Sequence, residues 1–292
     1  MKICTLCPRM CAVDRKSGER GICGQTTEIK VARAALHFWE EPCISGEMGS
    51  GAVFFSGCAL HCVFCQNENI ANGTAGKVIS TERLGEIFLE LQEKGANNIN
   101  LVTPGQFVPQ IIKAVELARN QNLKIPIVYN TSSYENVDTI RSLEGIGDIY
   151  LPDFKYFDTA LSAKYSHAPD YPAVAKAVIA EMVRQTGAAV FENGEDSLMK
   201  RGLILPGCTK DSKAVLKYLH ETYENQIYIS IMHQFTPLSN VKKYPELNRK
   251  ITDREYDEVV DFAIDIGIEN GFIQEGETAE ESFIPEFDNE GV

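Results

Sequence analysis

Residues 52–65 read Ala52-Val53-Phe54-Phe55-Ser56-Gly57-Cys58-Ala59-Leu60-His61-Cys62-Val63-Phe64-Cys65. Four apolar residues followed by Ser-Gly predict a short buried strand that ends in a loop. The loop spaces its cysteines as C-x3-C-x2-C. Three thiolates can hold three irons of a cubane [4Fe–4S] cluster and leave the fourth iron without a protein ligand, which makes it a place for chemistry. The competing assignment is a structural zinc loop that takes His61 as its fourth ligand.

Working outward, Ser80-Thr81 caps a helix with Leu84, Ile87, Phe88 and Leu91 on one face. Strands are predicted at Ile99–Val102, Ile127–Tyr129, Ile149–Phe154, near Leu203–Leu205 and at Ile227–Met232. Between them lie helical patterns at 108–115, 135–145, 158–186 and 211–223, and a last one carries Tyr256, Val259, Val260 and Ala263. Strands alternating with helices imply right-handed crossovers and a mainly parallel sheet. The class is α/β over residues 51–276, where the period fits an open doubly wound sheet as well as the partial (βα)6 TIM-like barrel that is expected. In such folds the loops at the strand C-termini form the active face.

Residues 1–50 have little periodicity and are expected to be a small cysteine-rich extension. Its Cys4, Cys7, Cys11 and Cys23, spaced C-x2-C-x3-C-x11-C, suit either a closed structural zinc site or a second iron–sulfur cluster. Because such a site needs no exogenous ligand, removal of residues 1–30 is expected to spare chemistry at Cys58. Cys43 and Cys208 stand alone and read as packing residues, with Cys208 the one placed to face a substrate. An odd total of nine cysteines, seven of them clustered, favours metal ligation over disulfides. The chain carries 28 Lys and Arg against 41 Asp and Glu, a net charge of −13. Residues 252–292 hold 14 of those acids and one base, so the remainder is neutral. That balance offers no basic footprint for nucleic acid. Residues 277–292 read as a solvated acidic tail, and no apolar run approaches a membrane span or a signal-peptide core, so a cytoplasmic protein is expected.

The cysteine motif, Phe64 before its last cysteine and the following βα units resemble the radical S-adenosylmethionine superfamily. More narrowly, the chain is similar to the pyruvate formate-lyase activating enzyme-like group over roughly residues 50–285. Its start, Cys-Thr-Leu-Cys-Pro-Arg at 4–9 with Arg20-Gly21-Ile22-Cys23-Gly24, is similar to related members that also open on cysteines. The resemblance implies a [4Fe–4S] cluster on Cys58, Cys62 and Cys65, with S-adenosylmethionine chelating the open iron. It implies cofactor contacts from Phe64 and from Thr103-Pro104-Gly105-Gln106, where one glycine stands in place of the usual pair. It further implies contacts from Asn130 at the end of the third strand, the Asp153-x-Lys155 pair after the fourth, Arg201 upstream of Leu205-Pro206-Gly207, and His233 after the sixth. The implied activity is reductive cleavage to a 5'-deoxyadenosyl radical that abstracts hydrogen, activating a glycyl radical enzyme, with flavodoxin or ferredoxin as reductant. The alternatives are radical modification of a small molecule or of another peptide residue, and a non-enzymatic electron-transfer or sensing protein.

Overall fold

A computed structural model describes residues 3–189, 199–274 and 285–292, with only the backbone of 199–203 described. Nine strands are present among these residues: β1 Ile29–His37, β2 Ser50–Phe55, β3 Lys77–Ile79, β4 Ile99–Val102, β5 Ile127–Thr131, β6 Ile149–Pro152, β7 Met199–Leu203, β8 Tyr228–Met232 and β9 Gly271–Ile273. Seven helices matter for the site: α1 Thr81–Glu93, α2 Val108–Asn120, α3 Val137–Arg141, α4 Thr159–Ser166, α5 Tyr171–Thr186, α6 Thr209–Tyr223 and α7 Asp253–Asp265.

Strands β2, β4, β5 and β6 pair in parallel, in that order, and β7, β8 and β9 form a second parallel run. β7 lies against β6, and no ladder joins them among the described residues. The expected α/β class and partial barrel are both present, and β9 adds a parallel strand beyond the six expected. One face of the strands, with Val53, Phe55, Leu101, Tyr129 and Tyr150, packs on the helices in a single large core. The opposite face makes two small clusters, one around Ala52, Phe54 and Val102 and one around Val128, Ile149 and Leu151 with Cys43 and Ile44. Period-2 alternation produces both faces, and burial on both sides is why these strands read as apolar runs. Ser80 caps α1 by accepting from the Arg83 N–H at 3.0 Å, and Leu84, Ile87, Phe88 and Leu91 are buried as the helical spacing requires.

Two ends of the chain depart from the sequence expectation. Residues 29–37, read as part of an extension, form β1, which pairs antiparallel with both β2 and β3. Its buried positions do not alternate, and Lys30 and Arg33 interrupt the apolar run, so no period of 2 marks it in the sequence. Residues 285–292, read as a solvated tail, run beside β1 instead. The Ala34 N–H donates to the Glu290 carbonyl at 2.9 Å, the Asn289 N–H donates to the Ala32 carbonyl at 3.0 Å, and Arg33 pairs with Asp288 and Glu290. Phe287 packs on Phe54 with ring centroids 5.5 Å apart. Most of the acidic charge that suggested solvent lies elsewhere in 252–292, and two of the three acids here, Asp288 and Glu290, meet the Arg33 cation. No described helix is long and apolar enough to cross a membrane.

Candidate active site

The C-terminal ends of β2, β4, β5, β6 and β8 all deliver residues to one cavity of about 240 Å³. Cys58, Cys62 and Cys65 follow β2, Thr103 follows β4, Asn130 and Thr131 end β5, Asp153 and Lys155 follow β6, and Gln234 follows β8. The cysteine loop is fixed by polar contacts along its whole length. Gly57, at φ 89°, starts the turn, and a Cβ there would stand 2.5 Å from the Cys23 carbonyl oxygen. The Val63 N–H donates to the Tyr165 carbonyl at 2.8 Å, Asn240 Nδ2 donates to the Cys65 carbonyl at 3.0 Å, and Ser166 Oγ lies 3.2 Å from Cys62 Sγ.

Burial pushes the Cys65 thiol up to about 12 and raises that of Cys62, while the Lys155 ammonium acts in the opposite direction on both. Such thiols stay protonated at neutral pH until a metal displaces the proton. Among the described residues no three His, Cys, Asp or Glu side chains converge as ligands of a single metal ion do. The three cysteines line one cavity. His61 does not complete a zinc set, since its Nε2 lies 2.8 Å from the Ile22 carbonyl oxygen.

Phe64 is buried as a wall of the cavity, 6.2 Å from the Tyr156 ring and 6.1 Å from that of Phe235. Lys155 Nζ stands 2.7 Å from Asp153 Oδ2, and both side chains are 15% exposed. The strand stops at Pro152, so this pair sits on the following loop rather than on the strand itself. Tyr171 steadies that loop by accepting from the Lys155 N–H and donating to the Asp153 carbonyl.

Three predicted contacts are placed differently. Thr103, not Gly105, takes the left-handed backbone, at φ 57°, an uncommon conformation for a β-branched residue. Gly105 is small for another reason: a Cβ there would meet the Glu135 carboxylate at 3.0–3.2 Å. Glu135 is buried and accepts from Tyr129 Oη at 2.5 Å and from Thr131 Oγ1. His233 does not line the cavity, because its ring packs 4.5 Å from Tyr256, and its neighbour Gln234 takes the cavity position. Cys208 also lies outside the cavity, packed against the main core at the start of α6, where burial pushes its thiol up to about 11. Arg201 is on β7, and its side chain lies outside the described residues.

Sequence reading missed two groups. Glu40, beyond β1, lines the cavity and accepts from Asn100 Nδ2 at 3.1 Å and Asn130 Nδ2 at 3.3 Å. No motif marks it. Arg9 holds the cysteine loop, donating to the carbonyls of Ala59 at 2.9 Å, Leu60 at 3.2 Å and Ser166 at 2.8 Å, with its guanidinium 5.1 Å from the Tyr134 ring centroid. Its signal was the arginine directly after Cys7-Pro8, inside a motif read only for its cysteines.

This cysteine loop at the mouth of a parallel α/β sheet is matched by a family model. Residues 52–184 match the family model described as the Radical SAM superfamily. The matched stretch runs from β2 through α5 and so holds the three cysteines, Thr103, Asn130, Asp153 and Lys155. A relative, the uncharacterized protein MJ0674 of Methanocaldococcus jannaschii, is 25% identical over 273 residues, covering 90% of this chain and 74% of its own. Among solved structures, SuiB of Streptococcus suis, crystallised with the precursor peptide SuiA, aligns with a TM-score of 0.47 at 14% identity. That alignment covers 76% of this chain and 47% of SuiB, so the chain spans about half of that structure.

Proposed function

We propose that this protein is a radical S-adenosylmethionine enzyme that abstracts hydrogen from a carbon centre of a protein substrate, a glycine of a glycyl radical enzyme being the leading target. The observation that carries the reading is the set of three thiols from one loop in a cavity that also receives the Asp153–Lys155 pair. Cys58, Cys62 and Cys65 would hold a [4Fe–4S] cluster, which together with S-adenosylmethionine would supply, on one-electron reduction, a 5'-deoxyadenosyl radical and methionine.

The chain's own residues orient the cofactor and exclude water. Lys155 presents a cation and Asp153 a carboxylate, which complement the carboxylate and the amino group of an amino-acid moiety. Phe64 and Phe235 form an apolar wall that keeps solvent from the reacting atoms. Thr103 and Asn130 offer polar contacts from the ends of β4 and β5, between the cysteine loop after β2 and the pair after β6. An electron-transfer or sensing protein saturates its cluster with protein ligands, and His61, the histidine within the cysteine loop, lies with its Nε2 2.8 Å from the Ile22 carbonyl oxygen.

A macromolecular substrate is supported by the rim. Trp39 lines the cavity yet is 59% exposed, and its neighbour Phe38 is 51% exposed. Large exposed aromatics at the edge of a site suit a docking protein better than a small molecule. The reductant belongs to the flavodoxin or ferredoxin class of one-electron carriers. Anaerobic reconstitution with iron, sulfide and S-adenosylmethionine, followed by reduction, should yield 5'-deoxyadenosine. With a glycyl radical enzyme added, a protein-centred radical should appear by electron paramagnetic resonance. No 5'-deoxyadenosine would refute the chemistry, and a product without a glycyl radical would move the target to a small molecule or another residue.

A further inference from the structure

The N-terminal cysteines are not remote from the active site. Cys4, Cys7, Cys11 and Cys23 line one small cavity, and Cys58 and Ala59 of the reactive loop line the same one. Gly21 makes room for this arrangement: a Cβ there would stand 2.3 Å from Cys11 Sγ. The backbone bends into the left-handed region on both sides of Cys11, at Met10 and Ala12, with φ 42° and 53°. Buried Arg15 supplies the balancing cation, with Nη1 4.0 Å from Cys4 Sγ. The same guanidinium donates to the Gln106 carbonyl at 2.7 Å, and Gln106 Nε2 donates to the carbonyls of Ser56 and Gly57, immediately before Cys58. Arg9 and His61 add direct links between the two loops.

Zinc bonded to four sulfurs is redox-inert, whereas an iron–sulfur cluster in a cavity shared with the Cys58 loop can pass electrons to it. Four protein ligands leave such a cluster no open iron. Ile3, Met10 and Ile22, each next in sequence to one of these cysteines, are 51%, 55% and 53% exposed, so this set meets solvent through an apolar face.

We propose that Cys4, Cys7, Cys11 and Cys23 hold a second, fully protein-ligated iron–sulfur cluster, and that electrons enter through it on their way to the Cys58 site. The first half stands by itself, and the second rests on the radical S-adenosylmethionine reading. One electron leaves a reduced carrier protein of the flavodoxin or ferredoxin class, which is oxidised. The electron then reduces the Cys58 site, and no bond forms or breaks in the transfer.

The protein with Cys58→Ala, Cys62→Ala and Cys65→Ala together isolates the second site. After anaerobic reconstitution it should retain iron and sulfide and show a paramagnetic signal on reduction. Zinc or no metal in that folded protein overturns the cluster. The complementary Cys7→Ser/Cys11→Ser protein should lose iron relative to the unaltered chain, and unchanged iron content likewise overturns it. Entry is read by driving the same Cys7→Ser/Cys11→Ser protein with two reductants. 5'-Deoxyadenosine yield should be kept with titanium(III) citrate and fall on the order of tenfold or more with reduced flavodoxin. Equal yields, or equal losses, with both reductants overturn the entry role. Absence of 5'-deoxyadenosine from the unaltered protein with titanium(III) refutes the radical reading instead, and the iron of the isolated second site still decides the cluster.

Discussion

Cys58, Cys62 and Cys65 reach the cavity from one short loop, and none has a substitute. Replacement of any one by alanine removes one of three protein ligands, so reductive cleavage of S-adenosylmethionine should be abolished. Full 5'-deoxyadenosine production by any of the three variants contradicts the assignment. Under the proposed function the Asp153–Lys155 pair would act on the cofactor rather than on the metal. Lys155→Gln or Asp153→Asn should weaken cofactor binding by about tenfold, roughly 1.4 kcal/mol, with the iron content unchanged. Equilibrium binding to the reconstituted protein, beside iron analysis, separates the two effects. Gly105 sits 3.0–3.2 Å, by its absent Cβ, from the buried Glu135 carboxylate. Gly105→Ala should therefore cost about 1–3 kcal/mol by overpacking a buried network, measured as a lower denaturation midpoint. A variant as stable as the parent would show that the Glu135 side chain yields freely.

At the scale of elements, α7 carries the most complete helix start in the chain. Thr252 and Glu255 form a reciprocal capping box, and Glu255 also accepts from Arg249 at 2.6 and 2.7 Å and from the Gly207 N–H at 2.7 Å. It thereby ties α7 to the turn before α6. The Arg249 guanidinium, followed by the backbone donors, holds the Glu255 carboxyl well below the usual carboxylate range. A depressed folded value contributes stability that is present above the unfolded value, about 4.3 for glutamate. That contribution is lost as pH falls from there toward the folded value. Glu255→Gln should cost about 1 kcal/mol at neutral pH and flatten the stability curve below pH ~4.3. Chemical denaturation of both proteins across that range tests the sign, and parallel curves would remove Glu255 as a source of the slope.

For the whole molecule, the two chain ends are structural parts of the barrel. The segment 285–292 covers the part of the outer edge of β1 that β3 leaves open, at Ala32–Ala34, and places Phe287 on Phe54, a residue that also lines the active-site cavity. Deleting residues 285–292 should destabilise the fold by about 2 kcal/mol, the scale of one buried aromatic side chain, and leave a bare sheet edge prone to association. Thermal unfolding and light scattering of the deletion variant check both consequences. A monomer with the parent's unfolding temperature would show that the segment contributes little. The opposite end is equally engaged, because residues 1–30 contain Arg9 and Arg15 and the first two residues of β1. Their removal would take away the clamp on the Cys58 loop along with four cysteines.

The sequence by itself determined the alternation of strands and helices, the position of the reactive loop after β2, and the residue types at the strand ends. These are local properties: apolar period, helix caps and cysteine spacing are read within a few residues of one another. Tertiary structure alone decided what those residues touch. It made β1 a strand by covering both its edges, turned His233 onto Tyr256, and gave the small size of Gly105 to Glu135, 30 residues away. It set Glu40 opposite the cysteines and brought the N-terminal thiols to the back of Cys58. Such pairings join segments distant in sequence, and no periodicity or spacing encodes them, because they exist only once the sheet has closed around its cavity.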